Sequence, residues 1–233
     1  MLKRRVGCDV DGVLACFVTG FADRLAEIAG DKVVNGAVLR QLAKDTAAFP
    51  TVWDWPQLHG YTNDDVRAAW ESVEQDDTFW QNLPVIEPEA VELLNALAMD
   101  GHEVYFLTAR LGIKAKWQTE QWLLAHGMLM PTVIITEQKA PVAKALELDC
   151  YIDDKLSNVN LVMRSARAGH SYTRVYIKDR LHNRKPITDD LTSNKDVNEW
   201  RDAGVQVVSG VVEMLTCEGF LDNTVPDVLI CGA

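Results

Sequence analysis

"VGCDVDGVLACF", Val6–Phe17, sets two aspartates, Asp9 and Asp11, inside an otherwise apolar run. In an extended strand, residues two apart point to the same side, so both carboxylates would crowd one face. Like charges that close repel, and burying them without partners is costly. A divalent cation between them would offset that cost. The structural alternative is a turn whose aspartates cap backbone amides. A calcium loop fits poorly, because valine and leucine follow where further oxygen ligands would be needed.

The segment from Arg5 to Leu14 reads as a short buried strand ending in a turn at Gly12. After it, residues from about Phe17 to Leu83 are rich in tryptophan, acidic residues and helix-like spacing, with few strand signals. "NDDVRAAWESVEQ" predicts a helix with acidic residues at its start. A regular alternation begins at Pro84. "EPEAVELLNALAMDG" places Val91, Leu94 and Leu97 along one helical stripe closed by Gly101. Strand "HEVYFLTAR", helix "KAKWQTEQWLLAHG", strand "PTVIIT", short helix "APVAKALEL", strand "DCYIDD", helix "LSNVNLVMRSARAG" and strand "TRVYIKD" follow in turn. "VQVVSGVVEMLTCEGF" could add a last strand and helix. This order predicts an α/β protein with a mostly parallel sheet and helices on both faces.

On that arrangement Asp9, Thr108 and Asp153 each lie at or just past the C-terminal end of a strand. Ligands of open α/β sheets bind beyond those ends, near the point where the strand order reverses. Asp9 and Asp11 then read as a nucleophile and an acid/base sharing Mg²⁺. Asp153 and Asp154, in "YIDDK", are candidate metal ligands or a helix N-terminal cap. Hard oxygen ligands without a histidine cluster favour Mg²⁺ over zinc. Thr108 either ends its strand or binds phosphate oxygens. Lys139 is either a surface lysine or a charge neutraliser beside a phosphate, with Lys144 as its rival. Among the seven tryptophans, Trp70, Trp80, Trp117 and Trp122 sit where they could pack helices onto the core. Trp53 and Trp55 flank a turn and could serve packing or base stacking.

The formal net charge of −11 disfavours extended binding along nucleic acid, while leaving small phosphates open. Five cysteines without a Cys-x-x-Cys pair support neither a zinc ribbon nor a dithiol motif, and imply reduced thiols in the cytoplasm. The start resembles a signal peptide, but Asp9 and Asp11 interrupt its apolar part. No apolar run approaches transmembrane length, so no membrane partner is expected.

"DVDGV", "LTAR", Lys139 and "IDD", in that order, resemble the haloacid dehalogenase-like (HAD-like) phosphohydrolase superfamily over roughly Val6 to Lys178. The resemblance implies a Rossmann-like three-layer α/β/α core of residues 1–16 and 84–220, a helical cap of residues 17–83 inserted after the first strand, and a tail of residues 221–233. It implies that Asp9 is the nucleophile, Asp11 the general acid/base, Thr108 a phosphate ligand and Lys139 a charge stabiliser. Asp153 would complete an Mg²⁺ site with Asp9 and the backbone carbonyl of Asp11, supported by Asp154. "FWQNLPVIEPEAVELLNAL", Phe17 and "DCYIDDK" resemble the 5′(3′)-deoxyribonucleotidases in particular. There an aromatic matching Phe17 helps hold the base, and Asn183 and Arg184 match a late basic element. Ala109 stands where that family tends to have serine, and Arg110 changes the next position. Phe17, Trp53, Ala109 and Arg110 are thus the candidate substrate contacts.

The implied activity is a nucleoside monophosphatase acting through an aspartyl-phosphate. The alternatives are a sugar-phosphate or polynucleotide-end phosphatase, or a non-enzymatic nucleotide-binding module. The apolar tail "LDNTVPDVLICGA" could dock on the core or form a homodimer interface.

Overall fold

Strand β1 (Arg5–Cys8) is the axis of the sheet, paired in parallel with β2 (Glu103–Thr108) on one side and β4 (Cys150–Asp153) on the other. The computed structural model describes residues 2–30, 54–169, 172–180, 182 and 204–221. Its six strands run in the order β3-β2-β1-β4-β5-β6, with β3 Thr132–Ile135, β5 Arg174–Lys178 and β6 Val205–Val208, and every pairing is parallel. The order reverses between β1 and β4, which places a crevice beyond the ends of those two strands.

Alternation along the strands builds two apolar layers. Val6, Cys8, Phe106, Cys150 and Ile152 face helices α4 (Pro88–Met99), α5 (Ala115–Ala125) and α8 (Val211–Cys217). Leu107, Tyr151, Val175 and Ile177 face α6 (Lys139–Ala145) and α7 (Leu156–Ala168). Gly7 points to the second layer, where a Cβ would come 2.4 Å from Leu148. The structure is therefore the expected three-layer α/β/α arrangement.

Between β1 and α4 the described residues form helices only: α1 (Phe17–Ala29), the one-turn α2 (Trp55–Leu58), α3 (Asn63–Gln75) and a 3₁₀ turn at Phe79–Gln81. The insertion leaves and returns side by side. The Cys16 amide donates to the Pro84 carbonyl and the Ile86 amide to that of Leu14, both at 2.7 Å. Thr62 and Asp65 close a reciprocal capping box at the start of α3.

Two expectations need correction. The first strand ends at Cys8, well short of the expected turn at Gly12. The Asp9 amide makes one more ladder bond, to the Ile152 carbonyl at 2.9 Å. The chain then coils, with the Leu14 and Ala15 amides both donating to Val10, and Gly12 adopts φ +79°. Asp9 and Asp11 therefore sit on a turn and do not share a strand face. Trp117 does not pack onto the core: it is 50% exposed, because Ala115, Gln118, Thr119, Trp122 and Leu123 form the inward stripe of α5. Among the described residues, no helix is long and apolar enough to cross a membrane. Trp53, Asn183, Arg184, Cys231 and the tail from residue 222 lie outside the described residues.

Candidate active site

Parallel strands deliver their C-terminal ends to one edge, and the polar residues gather there. Asp9 follows β1, Thr108 ends β2, Asp153 ends β4, and Lys139 opens α6. The Lys139 ammonium lies 2.7 Å from Asp9 Oδ1 and 2.8 Å from Asp153 Oδ2. Asp153 is held on both oxygens. Its Oδ1 accepts from the Lys155 amide at 2.7 Å, and its Oδ2 accepts from Asn158 at 3.0 Å and from the Tyr151 hydroxyl. Carboxylate oxygens of Asp9, Asp153 and Asp154 all lie within 4.8 Å of one another.

Three buried carboxylates crowd Lys139, and the field of Arg180 also reaches Asp154. Burial, and then the field of Asp153, pushes Asp9 well above the usual carboxylate range. The same two causes push Asp154 up to about 7. Burial would lower Lys139, but Asp9 and Asp153 outweigh it and the ammonium is held protonated. Hard oxygen donors this close together fit a divalent cation of the magnesium type.

The Asp11 side chain faces elsewhere and is not part of that group. Arg110 takes it in a fork: Nη2 lies 2.8 Å from Oδ1 and Nε 2.9 Å from Oδ2. The Thr108 hydroxyl donates to Oδ2 at 3.2 Å. Arg110, expected from the sequence to contact substrate, is thus committed to Asp11. The two leading aspartates are each paired with a cation of their own, Asp9 with Lys139 and Asp11 with Arg110.

Above them lies a cavity of about 510 Å³, within the range that holds a small ligand. Asp9, Asp11, Lys139 and Asp154 line one end, with Thr108 and Ala109. Phe17, Trp70 and Trp80 form an aromatic wall in the same cavity. Phe17 stacks on Trp70 at 5.2 Å and on Trp80 at 5.8 Å, with ring planes inclined by 17° and 24°. The structure thus brings together the expected residues, except that Trp53, Asn183 and Arg184 lie outside the described residues.

No protein-family model matches the chain. A hydrolase from Deinococcus radiodurans R1, titled a HAD family hydrolase with bound phosphate and sodium, superposes with a TM-score of 0.54 at 13% identity, covering 94% of this chain and 96% of that one. The chain therefore shares the fold of that protein. A phosphonoacetaldehyde hydrolase-like protein from Oleispira antarctica superposes with a TM-score of 0.51 at 13% identity, covering 94% of this chain and 92% of that one. A hydrolase from Pseudomonas syringae matches at 0.51 and 14%, covering 94% and 99%. In sequence, the chain is similar to a protein of Oceanobacillus iheyensis named "Putative nucleotidase OB0422". The two are 25% identical over 135 residues, and the match spans 55% of this chain and 66% of that relative.

Sequence reasoning missed a row of basic residues at this edge of the sheet. Lys178 at the end of β5 donates to the Val13 carbonyl at 2.9 Å, and Arg180 to that of Gly12 at 2.7 Å. His182 Nε2 lies 3.1 Å from the Asp154 carbonyl oxygen. Lys178 and Arg180 clasp the turn that carries Asp9 and Asp11, and His182 meets the backbone at Asp154. The signal was "YIKDRLH", three basic residues at alternate positions leaving a strand at the ligand-binding edge.

Proposed function

We propose that this chain is a metal-dependent phosphate monoester hydrolase acting on nucleoside monophosphates. The carrying observation is one cavity that joins two separately held aspartates, Asp9 and Asp11, to the aromatic wall of Phe17, Trp70 and Trp80. The similarity to a named nucleotidase supports the substrate class. The phosphate bound to a protein of the same fold supports the chemistry. Aromatic faces favour a nucleobase over a bare sugar.

In this reading Asp9, Asp153 and Asp154 hold Mg²⁺, which when bound supplies positive charge to the phosphate oxygens. Lys139 adds its own charge beside Asp9. An Asp9 oxygen attacks phosphorus, and the bond from phosphorus to the ester oxygen breaks. Asp11, carrying a proton at the start of the cycle, gives it to that oxygen and the alcohol leaves. Asp11 then takes a proton from the water that attacks the aspartyl-phosphate, releasing inorganic phosphate and restoring Asp9. Thr108 is the proposed phosphate ligand, with Ala109 beside it. The helical insertion, residues 17–83, serves as a cap that brings Phe17 and Trp70 over the reacting end.

The test is phosphate release from ribo- and deoxyribonucleoside 5′- and 3′-monophosphates and from sugar phosphates. Release concentrated on nucleotides, abolished by chelator and by Asp9→Asn, is expected. Release from sugar phosphates alone would remove the nucleobase reading. A folded Asp9→Asn protein with near-normal turnover would remove the covalent step.

A further inference from the structure

Arg110 is held more firmly than a substrate contact requires. Its side chain is fully buried, and its Nε and Nη2 form the fork on Asp11. Nη1 donates to the Thr119 hydroxyl at 3.1 Å, which itself donates to the Ala115 carbonyl at 2.7 Å inside α5. The guanidinium also lies over Trp80, 5.0 Å from the ring centroid. Trp80 is fixed in turn, with its indole N–H on the Leu111 carbonyl and its amide on Gln118, both at 2.9 Å. Asp11, by contrast, is 22% exposed at its side chain and sits on a turn. Its remaining contact is the 3.2 Å bond from Thr108. A partly exposed carboxylate has several staggered rotamers open to it. Proton transfer needs one of them, since effective catalysis depends on near-attack geometry.

We infer that Arg110 is a positioning residue, which fixes the Asp11 carboxylate toward the reacting end of the cavity, and that Thr119 and Trp80 hold Arg110 for that task. The inference rests on the phosphohydrolase reading above. It differs from a phosphate clamp in a measurable way. A clamp would strengthen substrate binding, whereas a positioning residue acts only through Asp11.

The experiment compares wild type with Arg110→Gln, Arg110→Lys, Thr119→Val, Asp11→Asn and the Arg110→Gln/Asp11→Asn pair, using the best monoester from the substrate panel. A positioned acid/base contributes about 10²–10⁴-fold, so Arg110→Gln should lower kcat by about 10–100-fold and leave KM nearly unchanged. Arg110→Lys should recover part of the loss, because an ammonium pairs with a carboxylate but cannot fork. Thr119→Val should lower kcat in the same direction by less. In the Asp11→Asn background, Arg110→Gln should cost no more than about twofold, since residues acting as one unit are not additive.

A raised KM with kcat preserved, or full additivity in the pair, would overturn the inference. Thermal melts exclude unfolding as the cause, and Thr119→Val carries the kinetic test if Arg110→Gln does not fold. A crystal structure of Arg110→Gln, or of Thr119→Val in that case, separates the two layers of the argument. If wild type releases no phosphate but Asp11 has moved in the variant, positioning stands and the hydrolase reading falls. If Asp11 has not moved, positioning falls whatever the activity.

Discussion

Gly12 shows how much one residue can settle. Its φ of +79° belongs to the left-handed region, and a Cβ there would come 1.9 Å from Asp154 Oδ2. Gly12→Ala should destabilise the fold by at least about 1–2 kcal/mol from backbone strain, and more as Asp154 is displaced. Chemical denaturation measures the loss, and an unchanged midpoint would contradict it. Lys178 makes a second test. Burial, opposed by Glu87, lowers it from 10.5 to about 8. Above about pH 8 the folded chain releases this proton while the unfolded chain keeps it up to about 10.5. Where the unfolded state binds more protons, stability rises with pH. The stability of wild type minus that of Lys178→Met should therefore climb between those values, and parallel curves would refute the account. At this scale the sequence was only partly readable. Asp9, Asp11 and Asp153 stood out because carboxylates in apolar strand-like runs demand a reason. The Arg110–Asp11 fork did not, because its partners are 99 residues apart and no local period links them.

Elements were the most legible level. The helix over Asn63–Gln75 was readable to the residue, since acidic residues in its first turn and an amphipathic stripe mark its bounds. Thr62→Ala should remove the cap at its start and cost about 1 kcal/mol, which a urea titration can resolve. A loss much nearer zero would mean that tertiary packing alone holds that terminus. Strand β1 was over-read for a specific reason. Val10, Val13 and Leu14 are all fully buried, so the apolar pattern continues where the ladder does not. Burial in a coiled turn and burial in a strand leave the same mark on a short stretch. Trp117 misled similarly, because a large aromatic on a helix says nothing of which side faces inward unless its neighbours are weighed.

The whole molecule carries a net charge of −11, and that has a testable sign. If it hydrolyses phosphates at polynucleotide ends at all, kcat/KM on such substrates should rise with added salt as like-charge repulsion is screened. The same parameter for a mononucleotide should change much less. A fall with salt on the polynucleotide would point to a local basic track that the global charge conceals. The sheet order carries a different consequence. Residues 5–8 pair with 103–106 on one side, and residues 6–8 with 150–152 on the other. On the ribosome, the central strand is made first and its second neighbour well over a hundred residues later. At about 5–20 residues per second, it waits roughly ten seconds or more. Until residues 103–106 are made, this apolar strand has two open edges and no native partner, and one edge stays open until residues 150–152 follow, so it depends on the exit vestibule or a chaperone for shelter. Tension on stalled nascent chains should therefore reach its full value only after Asp153 has cleared the tunnel.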